Sequence, residues 1–221
     1  MAPPFRADQV GSLLRPEELL AARATNHFDR ASEDKAKVDN RDVEKKAIAD
    51  VVKQQLDRGI TPITSGEFER VIFYGGFFGS LTGFEDKFIS VDKRRPAFPT
   101  ARLMKQMGMP GTNVSIATGK IKHEKSPYLE DWLYLRSLLP EERWKDCKMT
   151  IPTPCWHHIQ LPDGETFSKD VYSTDAEYLA DVSAAVRREI LTLHGRCEAC
   201  LPSQAVTSGG VASPPVPWQC Q

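Results

Sequence analysis

The sequence predicts an α/β fold, and three observations carry that reading. Residues 6–16, "RADQVGSLLRP", run an extended stretch into Gly11-Ser12 and then toward a helix. The helical pattern "RDVEKKAIADVVKQQLDRG" (41–59) is joined almost directly to the strand-like "ITPIT" (60–64). A third extended, apolar segment, "CKMTIPTPCW" (147–156), follows later. A helix delivered straight into a buried strand is the layering of a crossover helix packed back on a parallel sheet.

Taken in order, Val10 closes the first strand. Pro16 is expected at the first helical position of "PEELLAARA", where its missing N–H costs nothing, and Glu17 and Glu18 suit the positive end of the helix dipole. A polar, charged connection follows over about 29–40. In the helix 41–59, Val43, Ala47, Ile48, Val51 and Leu56 fall near helical spacing, and Gly59 is placed as the C-cap. "SGEFERVIFYGGFFGSLTGF" (65–84) fits neither period and reads as a long loop with helical turns, with irregular structure continuing to about 111. "TNVSIATGKIKHE" (112–124) alternates on each side of Thr118-Gly119, which predicts a β-hairpin. "PYLEDWLYLRSLL" (127–139) is an amphipathic helix carrying Leu129, Leu133, Leu135 and Leu138. The third core strand ends at Pro152. A last helix follows in "STDAEYLADVSAAVRREILTL", capped by Ser173 or Thr174, with Glu177 in the capping-box position relative to Thr174.

The totals bound the function. Of 221 residues 40% are hydrophobic and 27% charged, with a net charge of −1. This is the balance of a globular chain without the basic stripe of a nucleic-acid binder. No run is long and apolar enough for a membrane span, and "MAPPFRADQ" lacks the apolar core of a signal peptide, so a cytoplasmic protein is expected. Cysteines 147, 155, 197, 200 and 220 are an odd count, three of them near the end, and are expected as reduced thiols. After Glu198 none of the remaining 23 residues is charged, and "LPSQAVTSGGVASPPVPWQCQ" holds four prolines. The chain therefore divides into 1–198 and a tail, 199–221, expected to be disordered and read as non-native sequence from a frameshift, unspliced intron or faulty gene model.

Several stretches could carry chemistry. "TSGEFER" (64–70) is the strongest: Glu67, directly after Gly66 at the carboxyl end of a buried strand, stands where α/β folds place catalytic or ligand-binding groups. A carboxylate there could bind a ligand ammonium group; the ordinary alternative is a glutamate serving a helix dipole. The Gly11-Ser12 bend could grip a small polar ligand or be a plain turn. His157 and His158, after Trp156, are either substrate-facing or ordinary loop histidines. "HGRCEAC" offers His194, Cys197 and Cys200, but a zinc site needs a fourth ligand and only Cys220 remains nearby, so no metal ligand is assigned. "GTNVSIATGK" misses the phosphate-loop spacing, and the glycines of "YGGFFGSLTG" lack dinucleotide order.

Together these segments resemble the catalytic C-terminal barrel of cobalamin-independent methionine synthase and its shorter stand-alone microbial and fungal relatives. "RADQVGSLLRPEELLAAR", "AIADVVKQQLDRGITPITSGEFER", "GFFGSLTGFE", "VSIATGKI", "KMTIPTPCW" and "YLADVSAAVRREI" occur in the family's order, over roughly residues 5–194. The resemblance implies the N-terminal half of a (β/α)8 TIM-type barrel, with the hairpin as an insertion. It implies methyl transfer from 5-methyltetrahydrofolate, usually polyglutamylated, to the thiolate of homocysteine, which a zinc ion holds in its nucleophilic form. By the same resemblance Gly11 and Ser12 contact the homocysteine backbone, Glu67 binds its amino group, and Trp156 lies near the folate.

The departures shape the expectation. "HGRCEACLPSQ" stands where the family has an Ile-Asp-Glu/Asp-Pro strand, and the family's zinc ligands fall farther on than this chain reaches. The expectation is therefore a methyltransferase by descent that is inactive alone. Two alternatives stay open: a non-catalytic fragment that binds folate or amino acid or associates with another barrel half through its open edge, and a barrel enzyme acting on a different thiol acceptor.

Overall fold

The computed structural model of the protein describes residues 8–23 and 41–195. The expected tail 199–221, the connection at 29–40, and Cys197, Cys200 and Cys220 lie outside the described residues.

Helix α1 is short, Glu17–Ala22, and Pro16 precedes it as N-cap, one place earlier than the sequence suggests. The Pro16 carbonyl accepts from the amides of Leu19 (3.0 Å) and Leu20 (3.1 Å). Helix α2, Arg41–Asp57, buries Ala47, Ile48 and Val52, with Val43, Val51 and Leu56 packed at the margin. Gly59 ends it as expected: its φ of +65° lets Ile60 N return to Gln55 O at 2.9 Å. After α3 (Phe77–Ser80), α4 (Pro99–Gln106) and α5 (Leu129–Ser137), the last helix α6 spans Asp175–Leu193. Its cap is the expected one: Thr174 Oγ1 accepts from Glu177 N at 3.2 Å, and the Glu177 carboxylate takes Ser173 N at 2.9 Å.

The sheet corrects the sequence reading. Strand β2 runs unbroken through Gly111–Lys122, and its antiparallel partner is β1, Thr82–Ser90, within the stretch read as irregular. Thr118-Gly119 is not a hairpin turn. Gly119 lies against Gly83 across a register shift between Thr82 and Phe84. Gly83 has a φ of +94°, and a Cβ there would meet Lys120 O at 2.5 Å. The two glycines thus mark close backbone approach at a bulge, which alternation alone cannot distinguish from a turn. The segment 166–168 lies along β2, with Ala117 N donating to Thr166 O (3.0 Å) and Ser168 N to Ala117 O (2.8 Å).

The three predicted core strands lie beside one another without forming ladders, a second correction. Ile63 and Cys147 form a single parallel bridge, through Ile63 N to Asp146 O and Lys148 N to Ile63 O, each 2.8 Å. The first segment joins through Leu13 N to Gly66 O (3.1 Å), Gln9 Nε2 to Pro62 O (3.0 Å) and Lys148 Nζ to Gln9 O (2.6 Å). Pro62 has no amide to give to a ladder, and neither have Pro152 and Pro154, so pairing stops close to the bridge. The result is a mixed α/β chain whose one regular sheet, among the described residues, has two strands.

Two large apolar clusters hold these layers. One joins α1, α2 and α5 through Leu19, Ile48, Val52, Phe68 and Leu135 under the Ile63 bridge. The other packs α6 on β2 through Ala117, Phe167, Tyr178 and Val182. Each large side chain so buried contributes about 1.5–3 kcal/mol. Glu189 of α6 is wholly buried, but His123 Nε2 (2.5 Å) and Ser126 Oγ (2.7 Å) meet its two oxygens. Ser126 Oγ also accepts from Leu129 N at 3.0 Å, tying α5 to α6.

Candidate functional site

The first, second and third segments end together, and their ends build the site. Thr64 Oγ1 accepts from Gly66 N at 3.1 Å and Ser65 Oγ from Glu67 N at 3.3 Å, so the chain turns tightly on its own hydroxyls. The turn puts Gly66 at a φ of +71° and Glu67 at +58°. Glycine takes that conformation freely, while for a glutamate it is strained by about 1–2 kcal/mol. Strain of this kind persists where the surroundings over-determine the backbone, and it clusters at functional sites.

Glu67 is 4% exposed, and a hydroxyl donates to each carboxylate oxygen: Ser12 Oγ to Oε2 at 2.7 Å and Thr150 Oγ1 to Oε1 at 2.5 Å. Ser12 and Glu67 are therefore brought together, 55 residues apart in sequence. Gly11, beside Ser12, has a φ of +86°, and a Cβ there would meet nothing within 4 Å. Glycine is needed at this position for its backbone conformation.

Trp156 stands in a separate aromatic group. Its ring centroid lies 4.8 Å from Phe73, 5.2 Å from Tyr74 and 6.0 Å from Phe98. Its Nε1 is buried and makes no hydrogen bond among the described residues. Phe73 is 44% exposed, so the group opens to solvent on one side. Arg70 links it to the Glu67 turn: its Nη1 donates to Phe73 O at 3.0 Å, its Nε to Glu69 Oε1 at 3.2 Å, and it lies 4.7 Å over the Tyr128 ring. Burial opposes the Arg70 charge, but Glu69, Tyr128 and Glu67 outweigh it and hold its pKa above the ordinary arginine value. His157 packs edge-on against Phe78 (4.4 Å) and Tyr74 (6.0 Å) beneath this group.

Nothing in the sequence singles out Thr150, Arg15 or Arg70. Thr150 is 83 residues from Glu67, and Arg15 reaches Glu67 O at 3.3 Å and Arg70 O at 3.0 Å across more than 50. No local pattern encodes contacts of that range; the one available signal is that Thr150, like Ser12, is a hydroxyl at the end of an extended segment.

The described residues do not assemble a zinc site beside Glu67. Cys147 and Cys155 are free thiols, and burial pushes the Cys147 thiol up, away from thiolate. One cluster of metal-ligand type, His158, Asp163 and Asp175, lies elsewhere, at the start of α6. There Arg95 already pairs with Asp163 and holds its carboxyl below the ordinary range, Gly164 N donates to Asp175 at 2.9 Å, and no thiol is included. His194 ends α6, and the cysteines that follow it, to which no metal is assigned, lie outside the described residues. A groove of about 210 Å³ between α1 and α2, lined by Leu14, Pro16, Val43, Lys46, Val51 and Phe68, includes neither Glu67 nor Trp156. Among the described residues no helix is long and apolar enough to cross a membrane.

Known proteins show the same outline. No family model matches the sequence. The chain is 31% identical over 201 residues to the uncharacterized protein YxjG of Bacillus subtilis, covering 88% of this chain and 46% of that protein. It is 29% identical over 187 residues to the uncharacterized YxjH of the same organism, covering 85% and 44%. The chain thus spans about half the length of the curated relatives it matches. Among solved structures, a provisionally named vitamin-B12-independent methionine synthase from Listeria monocytogenes superimposes with a TM-score of 0.57 at 24% identity, over 89% of this chain and 50% of that one. At that identity the likeness is one of fold: this chain has the fold of about half of that structure.

Proposed function

We propose that the protein provides the substrate-binding half of a methyl-transfer site, in which Glu67 receives the ammonium group of homocysteine. The observation that carries this is the state of the Glu67 carboxylate. It is almost wholly buried, both oxygens are met by neutral hydroxyls, and it makes no ion pair among the described residues. Arg70 and Arg15 lie close by, but Arg70 donates to Glu69 and Arg15 to the Glu67 carbonyl, so no cationic N–H among the described residues meets the carboxylate and each of its oxygens keeps a second lone pair for a further donor. An ammonium group supplies both charge and N–H donors. Ser12 and Thr150 set the orientation of the carboxylate, and the Gly11-Ser12 turn lines the approach for the rest of the amino acid.

The Trp156, Tyr74 and Phe73 rings would take a flat heteroaromatic ring, and the pteridine of 5-methyltetrahydrofolate, as the polyglutamate, is the methyl donor this reading assigns to them. The Trp156 indole N–H would be satisfied by an acceptor on that ring. The methyl group would pass to the sulfur of homocysteine, or of another thiol whose amino group Glu67 can hold. That sulfur must react as thiolate, and the described residues assemble no zinc ligand set beside Glu67. The described part of the chain is accordingly read as binding without activating sulfur, in the cytoplasm and with small-molecule partners.

Titration calorimetry of the full chain with L-homocysteine tests the reading. Wild type is expected to bind, and Glu67→Gln, which keeps shape but not charge, to bind at least about tenfold more weakly, the loss of a charge-assisted contact. No heat with wild type, or equal affinity in both, would overturn the assignment.

A further inference from the structure

The left-handed Glu67 turn is held from outside by one short segment of chain. Leu13 N donates to Gly66 O at 3.1 Å. Arg15 Nη2 donates to Glu67 O (3.3 Å) and Arg70 O (3.0 Å). Arg23 Nη1 donates to Arg70 O at 2.8 Å, and its Nη2 to Phe68 O. The carbonyls of residues 66, 67, 68 and 70 therefore all accept from residues 13–23. The two arginines flank α1; Arg23 uses both Nη atoms of its fork, and Arg15 reaches its acceptors through Nη2 at the end of a rigid planar group.

The two differ in what fixes them. Arg23 is buried and paired with Glu44 of α2 at 2.6 Å, so it belongs to the framework. Arg15 is partly exposed, on the side of the turn that carries the ligand-binding groups. The same Nη2 that holds the Glu67 and Arg70 carbonyls also approaches Ser12 Oγ at 3.4 Å, and Ser12 Oγ donates to Glu67 Oε2 at 2.7 Å. Arg15 thus touches both the main chain of Glu67 and the hydroxyl that orients its side chain. A guanidinium there favours the Ser12 rotamer whose hydrogen points away from Arg15, toward the carboxylate.

We propose that Arg15 is a positioning residue: it holds Glu67 in its left-handed conformation through the main-chain carbonyls and aims Ser12 at the Glu67 carboxylate. The ligand arm of this proposal rests on the reading of Glu67 as an ammonium receptor; the backbone arm does not.

Two measurements on the full chain, with Arg15→Lys and Arg15→Gln, test it. Hydrogen exchange reads the backbone arm. The amides of residues 66–70 should exchange at least about tenfold faster in both variants while those of α6 keep their wild-type rates, since each lost contact is a hydrogen bond to a charged group. Unchanged exchange at 66–70, or an equal rise throughout α6, overturns the clamp. L-Homocysteine binding reads the second arm through a double-mutant cycle with Glu67→Gln. Arg15→Lys should weaken binding about tenfold when Glu67 is intact and less than about twofold in the Glu67→Gln background, because its effect runs through the carboxylate. Equal weakening in both backgrounds marks a general structural role and overturns positioning. If wild type binds no L-homocysteine, the Glu67 reading falls, and the exchange arm alone decides whether Arg15 holds the turn.

Discussion

Thr150 Oγ1 donates to Glu67 Oε1 at 2.5 Å, across 83 residues of chain, on the carboxylate oxygen that Ser12 does not reach. The contact closes the third segment onto the second just beyond the Ile63–Cys147 bridge, where backbone pairing has stopped. Side-chain hydroxyls therefore take over where the ladder ends, and the site and the join between segments are one object.

Thr150→Val keeps the shape of the side chain and removes that donor. It leaves an oxygen of a buried carboxylate unpaired, at a cost of about 1–3 kcal/mol. The urea midpoint of the variant is expected to fall accordingly, with the slope of the transition unchanged. Because the orphaned oxygen then needs a donor more, L-homocysteine should stabilise the variant by at least as much as wild type. An unshifted midpoint would mean that Thr150 does not hold Glu67 in solution.

Gly83→Ala tests the correction to the sheet. The added Cβ would lie 2.5 Å from Lys120 O and 2.8 Å from Gly119 O, on a residue whose φ is +94°. Both backbones belong to the paired strands, so neither can yield without opening β1 from β2. Gly108→Ala is the control, since its φ of +69° carries the conformational cost alone and its Cβ meets nothing within 4 Å. The control should lose about 1–2 kcal/mol, and Gly83→Ala distinctly more. Equal losses by chemical denaturation would remove the close approach at the bulge and restore the hairpin reading.

A single sequence carries short-range information best. Helix α2 and its Gly59 terminus, and α6 with its Thr174–Glu177 cap, are legible because their signals lie within a few residues of one another. The pairing of β1 with β2 is not, because Phe84 and Ala117 are brought opposite by a long connection containing α4, while Thr118-Gly119 offers a competing local turn. The site divides in the same way. Ser12 and Glu67 stand out at the ends of extended segments next to glycines with positive φ. Arg15 and Arg70, the groups that fix the turn and join it to Trp156, are arginines in ordinary surroundings whose roles exist only in the folded chain.

Tyr172 gives a pH-dependent test of the packing of α6 on β2. Its hydroxyl accepts from Ile121 N at 2.9 Å and donates to Asp181 Oδ2 at 2.8 Å, with Lys120 Nζ 4.0 Å from the ring centroid. Burial, chiefly, with the contribution of Asp181 and against that of the Ile121 amide, raises its pKa from 10.0 to about 12. The folded chain therefore keeps a proton that the unfolded chain releases. Stability from this group is complete below pH 10.0 and is lost as the pH rises through about 12. Tyr172→Phe removes the titrating group and both hydrogen bonds, so it should be less stable at neutral pH yet lose stability less steeply across that alkaline range. Tyr178, whose pKa is raised chiefly by burial and in part by Tyr172, titrates in both proteins, and loss of the Tyr172 hydroxyl lessens its shift in the same direction. Urea midpoints measured for both proteins at intervals through the alkaline range decide it: parallel slopes would show that the Tyr172 hydroxyl is not held between Ile121 and Asp181.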